Sequence, residues 1–171
     1  VDKASEEQTA QFAITVIVLM DVSYSMNYSD LKPTRLNVSE TMSELLLRRL
    51  DQKDHVGFIS FAGQVYDSVS PTTNRTGVVE EIGKQTIHPY TAIGNALESA
   101  IGILESPVYP NEGKAIVLFS DGMSNTGINV TAAADEAASL KIPVFTVSVG
   151  VYGLGESDPL ALQDISSRTN G

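Results

Sequence analysis

Between Ile14 and Met20 the chain carries an unbroken run, I-T-V-I-V-L-M, apolar except for Thr15 and rich in β-branched residues, and the run stops on Asp21. A short run of this kind reads as a strand buried on both faces of a parallel sheet. An α/β fold with helices on both sides of the sheet can cover such a strand. Ser23 and Ser25 follow Asp21 in alternation. A carboxylate and two hydroxyls thus stand just past the C-terminal end of a central strand. In open α/β sheets ligands bind there, where the strand order reverses.

The rest of the chain supplies the matching elements. A helix is expected from Pro33 or Thr34 to about Leu50, with Leu36, Met42, Leu45, Leu46 and Leu50 as its apolar stripe. Val56–Phe61 is a second buried strand, and Ala62-Gly63-Gln64 is a hairpin turn into Val65–Val69, an antiparallel edge strand. Pro71–Asn74 forms a turn and cap for a helix to about Gln85. His88–Thr91 is a loop, because Pro89 drives its predecessor out of helical geometry. A helix over Ala92–Leu104, a strand over Lys114–Ser120 ending on Asp121, a helix over Thr131–Leu140 and a strand over Pro143–Val149 follow. Asp158 caps a last helix that Pro159 opens and that runs to Thr169. The glycines of Gly150–Gly155 match neither dinucleotide nor P-loop spacing, so this segment is a loop and not a phosphate cradle.

The pattern predicts an α/β fold: an open, mostly parallel central sheet with one antiparallel edge strand and helices on both faces. Residues 1–171 read as a single domain in which residues 1–11 are a polar lead-in, and 171 residues suffice for a large core. The first residue, Val1, and the last, Gly171, read as the ends of a piece taken from a longer protein.

Composition narrows the function classes. Eleven Lys and Arg against 21 Asp and Glu give a net charge of -10, which argues against nucleic-acid and anionic-membrane binding. The absence of cysteine removes disulfides, thiol catalysis and thiolate metal sites. No segment approaches the roughly 18 apolar residues of a membrane span, so this stretch is not expected to insert directly. Asn27, Asn37, Asn74 and Asn129 each begin an N-x-Ser/Thr acceptor pattern. That favours an extracytoplasmic or membrane-associated setting, alongside the plainer reading of helix-start chemistry.

Two strands therefore end on carboxylates, Asp21 and Asp121, with Ser23 and Ser25 after the first and Thr91 in a loop at a helix start. Taken singly, each is a common cap or turn residue. Taken together on strand ends of one sheet, they form an all-oxygen set of low charge. Such a set suits Mg²⁺ first and Mn²⁺ equally in shell, whereas Ca²⁺ wants more oxygens.

Asp21-Val22-Ser23-Tyr24-Ser25 resembles the D-x-S-x-S signature of the von Willebrand factor type A family. Thr91–Leu97 is similar to that family's threonine loop, and Phe119-Ser120-Asp121-Gly122 to its second aspartate motif. Val56–Gly63 and Thr91–Gly94 look most like the family's prokaryotic branch. The resemblance implies a Rossmann-like fold and a metal-ion-dependent adhesion site. Ser23, Ser25 and Thr91 would bind the cation directly, and Asp21 and Asp121 mainly through ordered water. It further implies a non-enzymatic protein–protein interaction module that takes an Asp or Glu carboxylate of a partner. Tyr24 stands where the family usually has Gly, and Tyr90 and His88 flank Thr91; His88 before Pro89 is read as a loop residue. The family also carries a further strand after the last helix.

Two alternatives remain at this point. A metal-assisted phosphotransferase or hydrolase would want an Asp nucleophile with an acid or base two residues on and a nearby Lys. Position 23 is Ser, and Lys114 starts its strand. A serine hydrolase would need G-x-S-x-G and a partnering His, and His55 begins a strand at the other end of the sheet. The other alternative is a structural scaffold with a vestigial metal site.

Overall fold

The computed structural model describes residues 12–109, 113–154 and 156–171, so the lead-in read for residues 1–11 lies outside the described residues. In chain order the elements are β1 (Ile14–Asp21), α1 (Arg35–Arg49), β2 (His55–Phe61), β3 (Val65–Thr72), α2 (Arg75–Ile82) and α3 (Ile93–Leu104). They continue with β4 (Gly113–Ser120), α4 (Val130–Ser139), β5 (Val144–Ser148) and α5 (Pro159–Thr169). Among the described residues the strands form one sheet in the order β3-β2-β1-β4-β5. β1, β2, β4 and β5 are parallel, and β3 pairs antiparallel with β2 at one edge. This is the expected architecture.

Side chains of β1 alternate between two cores. Ile17 and Leu19 pack with residues of α3, α4 and α5, whereas Val16, Val18 and Met20 pack with residues of α1 and α2. β4 divides in the same way, Ile116 and Leu118 against Val117 and Phe119. Helix cover on both faces is why continuous apolar runs, and not alternation, encode these strands.

Four of the helix starts, those of α1, α2, α4 and α5, are fixed by the side chain of the capping residue, whereas α3 follows Ala92, which has no hydrogen-bonding side chain to offer. Thr34, Asn74, Asn129 and Asp158 accept from the backbone N–H groups of Asn37, Gly77, Ala132 and Ala161. These bonds satisfy donors that the first helical turn leaves orphaned.

Three local expectations change. The inward face of α1 is Arg35, Leu36, Ser39, Ser43 and Leu47, while Met42 and Leu45 point to solvent. The buried set keeps three-to-four spacing but runs through two serines, whose small side chains fit against the sheet. Ser39 Oγ satisfies itself by donating to the Arg35 carbonyl at 3.0 Å. β3 continues past Val69 to Thr72, because Pro71 is tolerated on an edge strand. α2 stops at Ile82, capped by Gly83, short of Gln85.

From β1 the chain runs through α1 to β2 on one side. It reaches β4, on the other side of β1, only after α3. Strand order thus reverses between β1 and β4, and a crevice forms at their C-terminal ends.

Candidate metal centre

The parallel register sets Met20 beside Phe119, which brings the ends of β1 and β4 together. Ser120 Oγ donates to Asp21 Oδ2 at 2.6 Å, and the Ser23 N–H donates to Asp21 Oδ1 at 2.9 Å. The buried Asp21 carboxylate is therefore held at both oxygens. A short 3₁₀ turn, Tyr24–Asn27, folds the chain back, with the Ser23 and Ser25 hydroxyl oxygens 3.3 Å apart.

Thr91 is positioned from several sides. The Ala92 N–H donates to the Ala62 carbonyl at 2.7 Å, and the Gly63 N–H to the Pro89 carbonyl at 3.0 Å. Asn125 Oδ1 accepts from the Thr91 N–H at 2.9 Å, and the Asn125 N–H returns to the Thr91 carbonyl at 2.9 Å. The loop after β4 makes its turn at Gly122, whose φ of +86° favours glycine; a Cβ there would also run into the Asp158 carbonyl.

A cavity of about 190 Å³ opens here, lined by Ser23, Tyr24, Ser25, Tyr90, Thr91, Met123, Asn125 and Glu156. The three hydroxyl residues singled out in the sequence border it. Asp21 and Asp121 lie fully buried behind that lining. All five sequence-predicted residues are thus gathered at one strand-end crevice. His88 does not border the cavity: its ring stacks on Tyr66 with centroids 3.6 Å apart, and Nε2 is 3.1 Å from Thr86 Oγ1.

Sequence reasoning missed Arg35. Its fully buried guanidinium donates through Nη1 to Asp121 Oδ2 at 3.0 Å, and through Nε and Nη2 to the two oxygens of Asp30 at 2.9 and 2.8 Å. It also donates to the carbonyls of Glu156 and Leu154 at 2.7 and 3.2 Å, and lies over the Tyr28 ring. Val151 N–H donates to Asp30 Oδ2 at 2.9 Å, so the loop after β5 closes over this pair. One signal was available: a cation in the first turn of a helix opposes the macrodipole and calls for a local anion. Asn125 and Ser120 were likewise missed as supports.

The electrostatics follow from burial. Loss of water, with the Asp121 charge adding to it, pushes the Asp21 carboxyl up to about 7. Hydrogen bonds from Arg35 hold Asp30 well below the usual carboxylate range. Asp21, Asp30 and Asp121 against the single guanidinium leave a cluster with two uncompensated negative charges when all are ionised. One divalent cation neutralises that excess. Among the described residues no three His, Cys, Asp or Glu side chains gather as a metal cluster, so a cation here needs the hydroxyl oxygens as donors. A hydroxyl-and-carboxylate set fits a hard cation such as Mg²⁺ or Mn²⁺. A larger cavity of about 610 Å³, lined by α1 and α2 residues including Glu44, Arg48 and Glu80, lacks this set.

Fold and crevice together define a Rossmann-like α/β domain with an oxygen-rich site at its topological switch point. The chain belongs to the von Willebrand factor type A domain family, whose model matches residues 15–171. A UPF0353 protein of Nocardia farcinica is 33% identical over 150 residues, covering 80% of this chain and 45% of that protein. A UPF0353 protein of Mycobacterium leprae is 29% identical over 167 residues, covering 87% and 50%. The chain thus spans about half the length of these curated relatives.

Among solved structures, an aerotolerance-related membrane protein from Bacteroides fragilis aligns with a TM-score of 0.80 at 24% identity, covering 93% of this chain and 89% of that one. Proximal thread matrix protein 1 from the mussel byssus, solved with a zinc-occupied MIDAS motif, aligns with a TM-score of 0.75 at 17% identity, covering 91% and 42%. These likenesses show the fold.

Proposed function

We propose that this domain is a non-enzymatic, divalent-metal-dependent protein-binding module. In this reading Ser23, Ser25 and Thr91 hold the cation directly, Asp21 and Asp121 act mainly through ordered water, and Mg²⁺ or Mn²⁺ is the resident ion. The observation that carries it is the pair of buried carboxylates set behind three hydroxyl residues that line an open cavity. When bound, the ion offers an open coordination position to an Asp or Glu carboxylate of a partner protein, a contact strengthened in a partly dry crevice.

The chain's own residues prepare that site. Ser120 and the Ser23 N–H fix Asp21, Arg35 fixes Asp121, and Asn125 fixes the Thr91 backbone. A binding role is favoured over a catalytic one by where the candidate acids and bases stand. Lys114 lies near the start of β4, 2.9 Å from Glu105, and His55 begins β2, 5.9 Å from Tyr109 between ring centroids. Both are at the opposite end of the strands from Asp21. Among the described residues no helix is long and apolar enough to cross a membrane. The greater length of the relatives and the membrane-protein neighbour support placing the module in a longer membrane-associated or extracytoplasmic protein.

Calorimetric titration of chelator-stripped protein with Mg²⁺, Mn²⁺ and Ca²⁺ tests the proposal. Saturable binding of Mg²⁺ and Mn²⁺, lost in Ser23→Ala and Thr91→Ala, is the expected result. A folded wild-type domain that binds none of them would overturn it in favour of a structural scaffold.

A further inference from the structure

We infer that the partner segment entering this site presents one carboxylate flanked by apolar or aromatic side chains, held between Tyr24 and Tyr90, and not a run of acidic residues. This rests on the metal-dependent reading above and adds the chemistry of the partner.

Two aromatic rings stand at the mouth of the cavity without being buried by the fold. Tyr24 is 64% exposed and Tyr90 65% exposed, yet both line the same cavity as Ser23, Ser25 and Thr91. Met123, 36% exposed, adds a third apolar side chain to that lining. Rigid aromatic side chains of this kind give large contact area at low entropic cost and are enriched in binding hot spots.

Tyr90 carries a second mark. Its φ is +64°, in the left-handed region that a bulky residue rarely occupies. The surrounding backbone imposes this conformation. Pro89 and Ala92, on either side of Tyr90-Thr91, are tied to Gly63 and Ala62 by hydrogen bonds of 3.0 and 2.7 Å. The fit beneath is close: a Cβ on Gly63 would stand 3.1 Å from Tyr90 Cβ. Gly or Asn would sit at position 90 with less strain. A tyrosine there works against the backbone while leaving most of its ring in water, which points to a role at the surface and not in the core.

Charge selects against an acidic run. Glu156 is exposed and lines the cavity, in a chain of net charge -10. One partner carboxylate is attracted to the cation. A second one beside it meets Glu156 and the acidic surface, which is a repulsive element against polyacidic partners. Apolar neighbours meet Tyr24, Tyr90 and Met123 instead.

The test is a displayed library of short random peptides with a fixed central Asp or Glu, selected on the wild-type domain in Mn²⁺ and eluted with chelator. Aromatic, aliphatic or proline residues should be enriched beside the fixed carboxylate, and further acidic residues depleted. The most enriched peptide is then synthesised and its affinity measured at metal concentrations that saturate each protein. Tyr24→Ser and Tyr90→Gly should each weaken it by about tenfold or more. Tyr90→Gly should melt no lower than wild type, since glycine accepts the positive φ, so its loss of affinity would not reflect unfolding. Enrichment of acidic runs, no chelator-eluted peptides, or equal affinity in the variants would overturn the inference. Failure of the wild-type domain to bind metal in calorimetry would instead sink the function on which it rests.

Discussion

Arg35 joins the crevice carboxylate Asp121 to the loop that follows β5, and its side chain is wholly buried between two acids. Removing one partner from such a cluster leaves uncompensated buried charge, which costs about 3–5 kcal/mol. Arg35→Met should lose stability of that order in urea unfolding, and a loss below about 1 kcal/mol would put the pair in the range of exposed ion pairs. Asp30 gives the pH dependence. Its folded-state pKa is depressed, chiefly by hydrogen bonds from Arg35, so its stabilisation is present above its unfolded value near 3.9 and fades as pH falls through the folded value. The stability gap between wild type and Asp30→Asn should stay level from neutral pH to about 5 and narrow below about 4. A gap that widens on acidification would contradict this. The convergence of Asp21, Ser23, Ser25, Thr91 and Asp121 on one crevice was legible because these oxygen-bearing residues end apolar runs, follow one closely, or precede a helix. Arg35 was harder to read: its place in the first turn of α1 signals only a nearby anion, and its bond to Asp121 spans 86 positions that no local pattern links.

At the scale of elements, burial on α1 follows fit to the sheet and not side-chain hydrophobicity. Leu47 is buried against β1 and β2 neighbours in one core, whereas Met42 and Leu45 face outward. Leu47→Ala should cost about 2–5 kcal/mol, while Met42→Ala should stay within about 0.5 kcal/mol of wild type. Chemical denaturation of both variants checks this, and the reverse ranking would restore the leucine and methionine stripe as the buried face. Strand identity was readable from unbroken runs such as Ile116–Phe119, because cover on both faces leaves no alternation to misread. Helix facing was not, since Ser39 hides its polarity in a bond to its own helix and so occupies a core position. The extra turn of β3 was also hidden. Pro71 reads locally as a turn and is tolerated in a strand only because β3 lies at the sheet edge.

For the whole molecule, the order of elements predicted a mostly parallel sheet with two strands ending on carboxylates, and the structure adds that β1 and β4 are neighbours at the reversal of strand order. The crevice at that reversal holds the hydroxyl residues over buried carboxylates. The sequence left open how the loops close on it, because the bonds from Asn125, Gly63 and Arg35 connect segments distant in the chain. A net charge of -10 means that divalent cations will also gather loosely over the exposed carboxylates. On the proposed function, one crevice binds the cation specifically. Paramagnetic broadening of amide resonances by substoichiometric Mn²⁺ reports location directly. Specific binding in the crevice predicts broadening centred on Ser23, Ser25, Thr91, Met123 and Asn125, reversed by excess Mg²⁺. Broadening spread over outer acids such as Glu44 and Glu80, with the crevice amides untouched, would contradict it.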